Sequence, residues 1–162
     1  MKGQVNFEFI LSVVVFISIM SFITLQIINS VSSMRSELEV EDMKSSAYQI
    51  SNLVMFDMGW PDNWNPDNVQ RLGLSSGFYS LDASKVSSLS QICESEGGYR
   101  KFLSLIGLEI SKDVYLNIST ASGETVVLCS PSVESQIRAR VETVRTSSMD
   151  GDIVKVVVRV VQ

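Results

Sequence analysis

The chain has 162 residues, of which 45% are hydrophobic, with 13 basic and 18 acidic side chains, a formal net charge of −5 and no histidine. A net negative field repels phosphate, which argues against a nucleic-acid partner, and without histidine no side chain ordinarily titrates near neutral pH to act as a general base. The sequence also lacks a Gly-x-Ser-x-Gly elbow, a glycine-rich phosphate loop and a histidine/cysteine zinc pattern, so it offers no catalytic residue and implies no metal and no cofactor.

The N-terminus reads Met1-Lys2-Gly3-Gln4-Val5-Asn6-Phe7-Glu8-Phe9-Ile10. Residues 9–28 then contain no charge, with Ser12, Ser18, Ser21, Thr24 and Gln26 as the polar interruptions. As a helix this run matches the ~30 Å of a bilayer core. It is too long for a secretory signal, whose apolar part is about 7 to 15 residues, and no Ala-x-Ala cleavage site follows it. Glu8 is the odd residue, because a carboxylate at the edge of hydrocarbon costs a few kcal/mol unless it is paired.

Lys2, Gly3, Gln4 and Glu8, followed by Phe9-Ile10-Leu11, resemble the class III signal peptide of archaeal type IV pilins and related filament subunits. The resemblance covers about the first 30 residues, and departs from the family at Asn6, usually a serine, and in a basic region reduced to Lys2. It implies cleavage between Gly3 and Gln4 by a prepilin peptidase. It also implies a subunit that lies in the membrane as a precursor and afterwards polymerises with other pilin subunits through its N-terminal helix, where Glu8 guides assembly. The domain plan that follows is a leader at residues 1–3, a membrane or filament-core helix at 4–31, an amphipathic continuation at 32–58 and an extracellular head at 59–162.

Neither glycine nor proline occurs from Gln4 to Met58, so one helix is expected to run through both segments, to roughly 80 Å at ~1.5 Å per residue. Beyond Val31 the composition turns polar, with Arg35, Glu37, Glu39, Glu41, Asp42 and Lys44, yet Met43, Ala47, Ile50, Val54 and Met58 keep an apolar stripe on the second half of the helix. Residues 59–68 crowd Gly59, Pro61, Pro66 and five Asn or Asp residues together, which is dense turn chemistry and ends the helix. The oxygens of Asp62, Asn63, Asn65 and Asp67 are read as turn formers rather than calcium ligands, since the spacing lacks an EF-hand's closing glutamate.

The head is expected to be α+β, with a few short helices leading into an antiparallel sheet. Asp82 caps a helix through Val86, Leu89 and Ile92, and Gly97-Gly98 separates it from a second one at residues 99–105. Val114, Leu116 and Ile118 then alternate into a hairpin with residues 125–128. A second hairpin pairs Ile137, Ala139, Val141 and Thr143 with a last strand whose Val154, Val156, Val158 and Val160 share one face.

Cys93 and Cys129 are the only cysteines, and in an exported head an even count favours a disulfide over two buried thiols. Asn117-Ile118-Ser119 is the single N-glycosylation triplet, and the resemblance to exported filament subunits strengthens Asn117 as an acceptor pointing away from Leu116 and Ile118. Arg138, Arg140, Arg145, Lys155 and Arg159 are expected on one face of the terminal hairpin, where they serve solubility and discourage edge pairing. The sequence as a whole reads as a structural subunit of an archaeal pilus-like surface filament, minor or specialised because its head is elaborate, with roles such as surface adhesion. The competing reading is a monomeric single-pass membrane protein whose extracellular head binds a ligand or partner.

Overall fold

The computed structural model describes residues 2–107, 112–132 and 139–162, with the side chains of residues 2–6, 32, 33, 35 and 36 left aside. The first element, α1, runs from Lys2–Phe56, as expected for a stretch whose only helix breaker is Gly3. The chain divides into two compact units, Met1–Glu39 and Val40–Gln162. The second unit therefore includes the C-terminal part of α1, and begins well before the helix-ending turn at Gly59.

Within that unit α1 contributes Met43, Ala47, Ile50, Val54 and Met55 to the core, all but fully buried. The expected stripe holds up to Val54, but Met58 is 48% exposed, because the helix has stopped at Phe56 and Met55 fills the last core position instead. Gly59 takes φ +76, a left-handed conformation that favours glycine. A Cβ at Gly73 would strike the backbone of Asp57 and Gly59, so the two glycines let the segments after α1 and before the sheet cross at contact distance. Trp64 is buried in the same corner, where its Nε1 donates to the Gly73 carbonyl at 2.8 Å.

Two helices follow, α2 at Ala83–Glu94 and α3 at Gly98–Leu105. Asp82 caps α2, its carboxylate accepting from the backbone N–H of Ser84 at 2.9 Å and of Lys85 at 3.3 Å. The six strands are β1 (Ser75–Gly77), β2 (Ser80–Leu81), β3 (Asp113–Thr120), β4 (Thr125–Cys129), β5 (Arg140–Met149) and β6 (Asp152–Val161). They form one sheet in the order β1-β2-β5-β6-β3-β4. The fold is α+β, but the sheet is mixed: β2 runs parallel to β5, whereas the other neighbours are antiparallel.

The two expected hairpins are β3–β4 and β5–β6, joined edge to edge through the β3–β6 pairing. Their inner face is apolar in the expected alternation. Val114, Leu116, Ile118, Val154, Val156, Val158 and Val160 are each fully buried against a core shared with α1, α2 and α3. At ~25 cal/mol per Å² of apolar surface removed from water, this cluster is the main favourable term in holding the head together. The start of the strand expected from Ile137, including Arg138, lies outside the described residues.

Candidate functional site

Phe7–Val31 is the N-terminal feature with the clearest physical consequence: it has 25 residues, mean hydropathy reaches 2.4 over an 18-residue stretch of it, and none of the segment is buried. It is one helix long and apolar enough to cross a membrane. Two of its hydroxyls are satisfied within the helix: Ser18 and Thr24 donate to the carbonyls of Val14 and Met20, each at 2.8 Å, and need no outside partner. Glu8 is exposed one residue inside this span, next to Phe7 and Phe9, exposed at 70% and 69%. Gly3 and Gln4 lie in the first turns of the same helix.

The head grips its share of α1 with polar contacts around the apolar stripe. Lys112, just before β3, pairs with Asp42 and donates to Ser46 Oγ at 3.2 Å. Arg145 of β5 donates to Ser51 Oγ at 3.0 Å and lies over the Tyr48 ring, 4.8 Å from its centroid. Hydrogen bonds from Arg145 and Asn52, with the Arg145 charge behind them, hold the Tyr48 phenol below its ordinary pKa. Lys85 of α2 is 6% exposed, and its ammonium donates to the Met58 carbonyl at 2.8 Å, tying the end of the helix to the head.

Arg145 thus corrects the expectation of a shared basic face. Residues alternate across β5, so Arg145 lies on the inner side opposite Val156, whereas Arg140, Lys155 and Arg159 are on the outer side. Arg159 is engaged there with Glu142 at 3.0 Å. Arg138 lies outside the described residues.

Cys93 of α2 and Cys129 of β4 form a disulfide with a Cα separation of 5.2 Å across 36 residues of chain. The bridge fastens the helix layer to an edge of the sheet. Asn117 faces outward, as the strand alternation requires, between Leu128 of β4 and Val157 of β6. It is half-buried there, and its Oδ1 is shielded from solvent with no hydrogen-bond partner among the described residues. In the turn after α1, Asn65 Oδ1 accepts from the N–H of Asp67 at 2.9 Å and of Asn68 at 3.2 Å, while Asn68 Oδ1 accepts from Asn65 N–H at 2.7 Å. Those oxygens serve the turn itself, and among the described residues no group of three or more acidic, cysteine or histidine side chains is placed to hold a metal ion.

One concavity in the head was not anticipated. An open cleft of about 670 Å³ lies where α1 ends, lined by Asn52, Phe56, Asp57, Trp60, Asp62 and Arg71 among others. The Trp60 backbone is fixed by reciprocal bonds with the segment opposite, its N–H donating to Arg71 O at 3.0 Å and its carbonyl accepting from Gln70 N–H at 2.9 Å. The indole itself is 55% exposed. Arg71 Nη2 meets Asp57 Oδ1 at 3.0 Å, and the same oxygen accepts the Gly59 N–H at 2.7 Å. The signal for this site was the turn sequence itself, which carries two tryptophans, one buried and one left outside.

No known protein family, no curated protein and no solved structure matches the chain.

Proposed function

We propose that this protein is a pilin-like structural subunit of an archaeal type IV pilus-like surface filament, made as a membrane-inserted precursor with its head outside. The observation that carries the reading is the conjunction at the N-terminus: Gly3-Gln4 ahead of Glu8, and Glu8 at the mouth of the apolar segment Phe7–Val31, whose residues are exposed among the described ones. An exposed apolar face of this size needs cover, and a bilayer before assembly and neighbouring helices after it supply that cover. Cleavage would free the Gln4 amino group, which in a polymer has the charge to pair with Glu8 of a neighbouring copy and so relieve the cost of that carboxylate among apolar side chains. The disulfide suits an oxidising outer compartment, and Asn117 is the candidate glycan acceptor there. The head's size and layered build suit a minor or specialised subunit with a role such as surface adhesion.

Intact mass spectrometry of protein from membranes or sheared surface material tests the reading. The expected species begins at Gln4, Lys2 having kept the leader on the cytoplasmic side for the peptidase. A mature chain still carrying Met1 and Lys2 favours the monomeric membrane-anchored alternative.

A further inference from the structure

We propose that the cleft between Phe56 and Trp60 binds a neutral carbohydrate, so that the head recognises an uncharged surface or matrix glycan. Four observations on the head carry this. First, the cleft's volume of about 670 Å³ lies in the ~300–1,000 Å³ range of small-ligand sites.

Second, its walls combine aromatic faces with planar hydrogen-bonding groups. Trp60 and Phe56 are 55% and 40% exposed, and Phe56 continues edge-on into Tyr79 at 5.2 Å, which meets Phe78 at 4.6 Å. A pyranose ring has an apolar face of C–H groups that stacks on such rings, and an equatorial girdle of hydroxyls that needs donors and acceptors beside them. Asn52, Asp57, Asp62 and Arg71 supply both kinds.

Third, the aromatic strip is held in place at a conformational cost. Tyr79 has φ +54, unfavourable for a bulky residue, and its carbonyl accepts three bonds, from Ser148 N–H at 3.0 Å, Ser147 Oγ at 2.9 Å and Ser148 Oγ at 3.1 Å. The outcome is Phe78 at 88% exposure, an aromatic ring kept in water by a turn the sheet enforces.

Fourth, the charges around the cleft cancel. Asp57 and Asp62 stand against Arg71 and the Lys85 ammonium on the Met58 carbonyl, so no excess charge gathers a uronate, sulfate or phosphate polymer, and the walls suit a neutral sugar.

The inference rests on the head being displayed outside the cell, as in the reading above, and does not require polymerisation. It is tested with the full chain purified in a detergent without a sugar headgroup, titrated with a panel of short neutral oligosaccharides and, in parallel, with acidic oligosaccharides. The readout is tryptophan fluorescence. Trp60 reports ligand because it is exposed, and Trp64 stays silent because it is 3% exposed. At least one neutral oligosaccharide should shift the emission saturably. Trp60→Ala and Asp62→Asn should each weaken binding by tenfold or more, measured by calorimetry, with an unchanged melting temperature. Phe78→Ala should weaken longer oligosaccharides more than short ones. No neutral sugar binding, binding of acidic glycans alone, binding untouched by Trp60→Ala, or a cleft filled by a peptide segment of another copy would each overturn the proposal. If the chain nevertheless begins at Gln4 and enters filaments, the filament reading survives that failure.

Discussion

Asp82 and Tyr99 show opposite ways in which a single titrating group supports the head. Asp82 is held below the ordinary carboxylate pKa chiefly by the Ser84 hydroxyl, with the backbone N–H groups of Lys85 and Ser84 adding to the effect and partial burial opposing it. A depressed folded-state pKa gives stability that is present above the unfolded value of about 3.9 and is lost as pH falls through the folded one. Asp82→Ala should therefore cost about 1 kcal/mol in urea unfolding at pH 7, the usual worth of an N-cap, with the gap to wild type narrowing below roughly pH 4. The Tyr99 phenol is pushed up to about 12, first by burial, although the Val114 N–H that it accepts at 2.9 Å pulls the other way. Its contribution is complete below the unfolded value of about 10 and is lost as pH rises through the folded one. Phenolate absorbance should show Tyr48 ionising before Tyr99, with Tyr48→Phe and Tyr99→Phe assigning the two steps. A single unresolved step for all four tyrosines would show that the head opens before Tyr99 titrates.

Elements with one strong period were legible in the sequence, and those whose identity depends on partners were not. The long α1, the Asp82-capped α2 and the β3–β4 and β5–β6 hairpins follow from breaker-free length, a capping aspartate and valine alternation, which are local signals. β1 and β2 have only 3 and 2 residues, too short to carry a pattern, and the parallel β2–β5 pairing is settled by tertiary packing alone. Arg145 was read as one more soluble residue because its type suggests an exterior. Its parity within β5 puts it inside, where the Tyr48 ring and Ser51 meet it. The cleft escaped notice because its walls come from both sides of a turn whose crossing depends on Gly59 and Gly73. Within α1, the N-terminal prediction concerns Glu8. On the filament-subunit proposal, Glu8→Gln should leave cleavage at Gly3-Gln4, membrane insertion and head folding intact while lowering the ratio of sheared surface protein to membrane protein several-fold beside wild type. Equal ratios would assign Glu8 to the membrane interface alone.

At the scale of the molecule, the head is a sheet with helices on its inner face, and the Cys93–Cys129 bridge is its covalent fastening. A bridge closing 36 residues contributes about 3 to 4 kcal/mol in the chain-entropy picture, so Cys93→Ser should lower the melting temperature by roughly 10 °C without altering the native circular dichroism. An unchanged melting temperature would show that the core alone sustains the head. The strand order carries one more consequence, in time rather than in space. β6, the last strand in sequence, lies between β5 and β3, so neither hairpin can join the other until it arrives. A chain delivered N-terminus first places Phe7–Val31 long before it presents residues 152–161. The head is therefore completed only after the apolar segment has emerged, and a chain halted short of β6 is left open, with the β6-facing flanks of β3 and β5 free to capture strands from a neighbour.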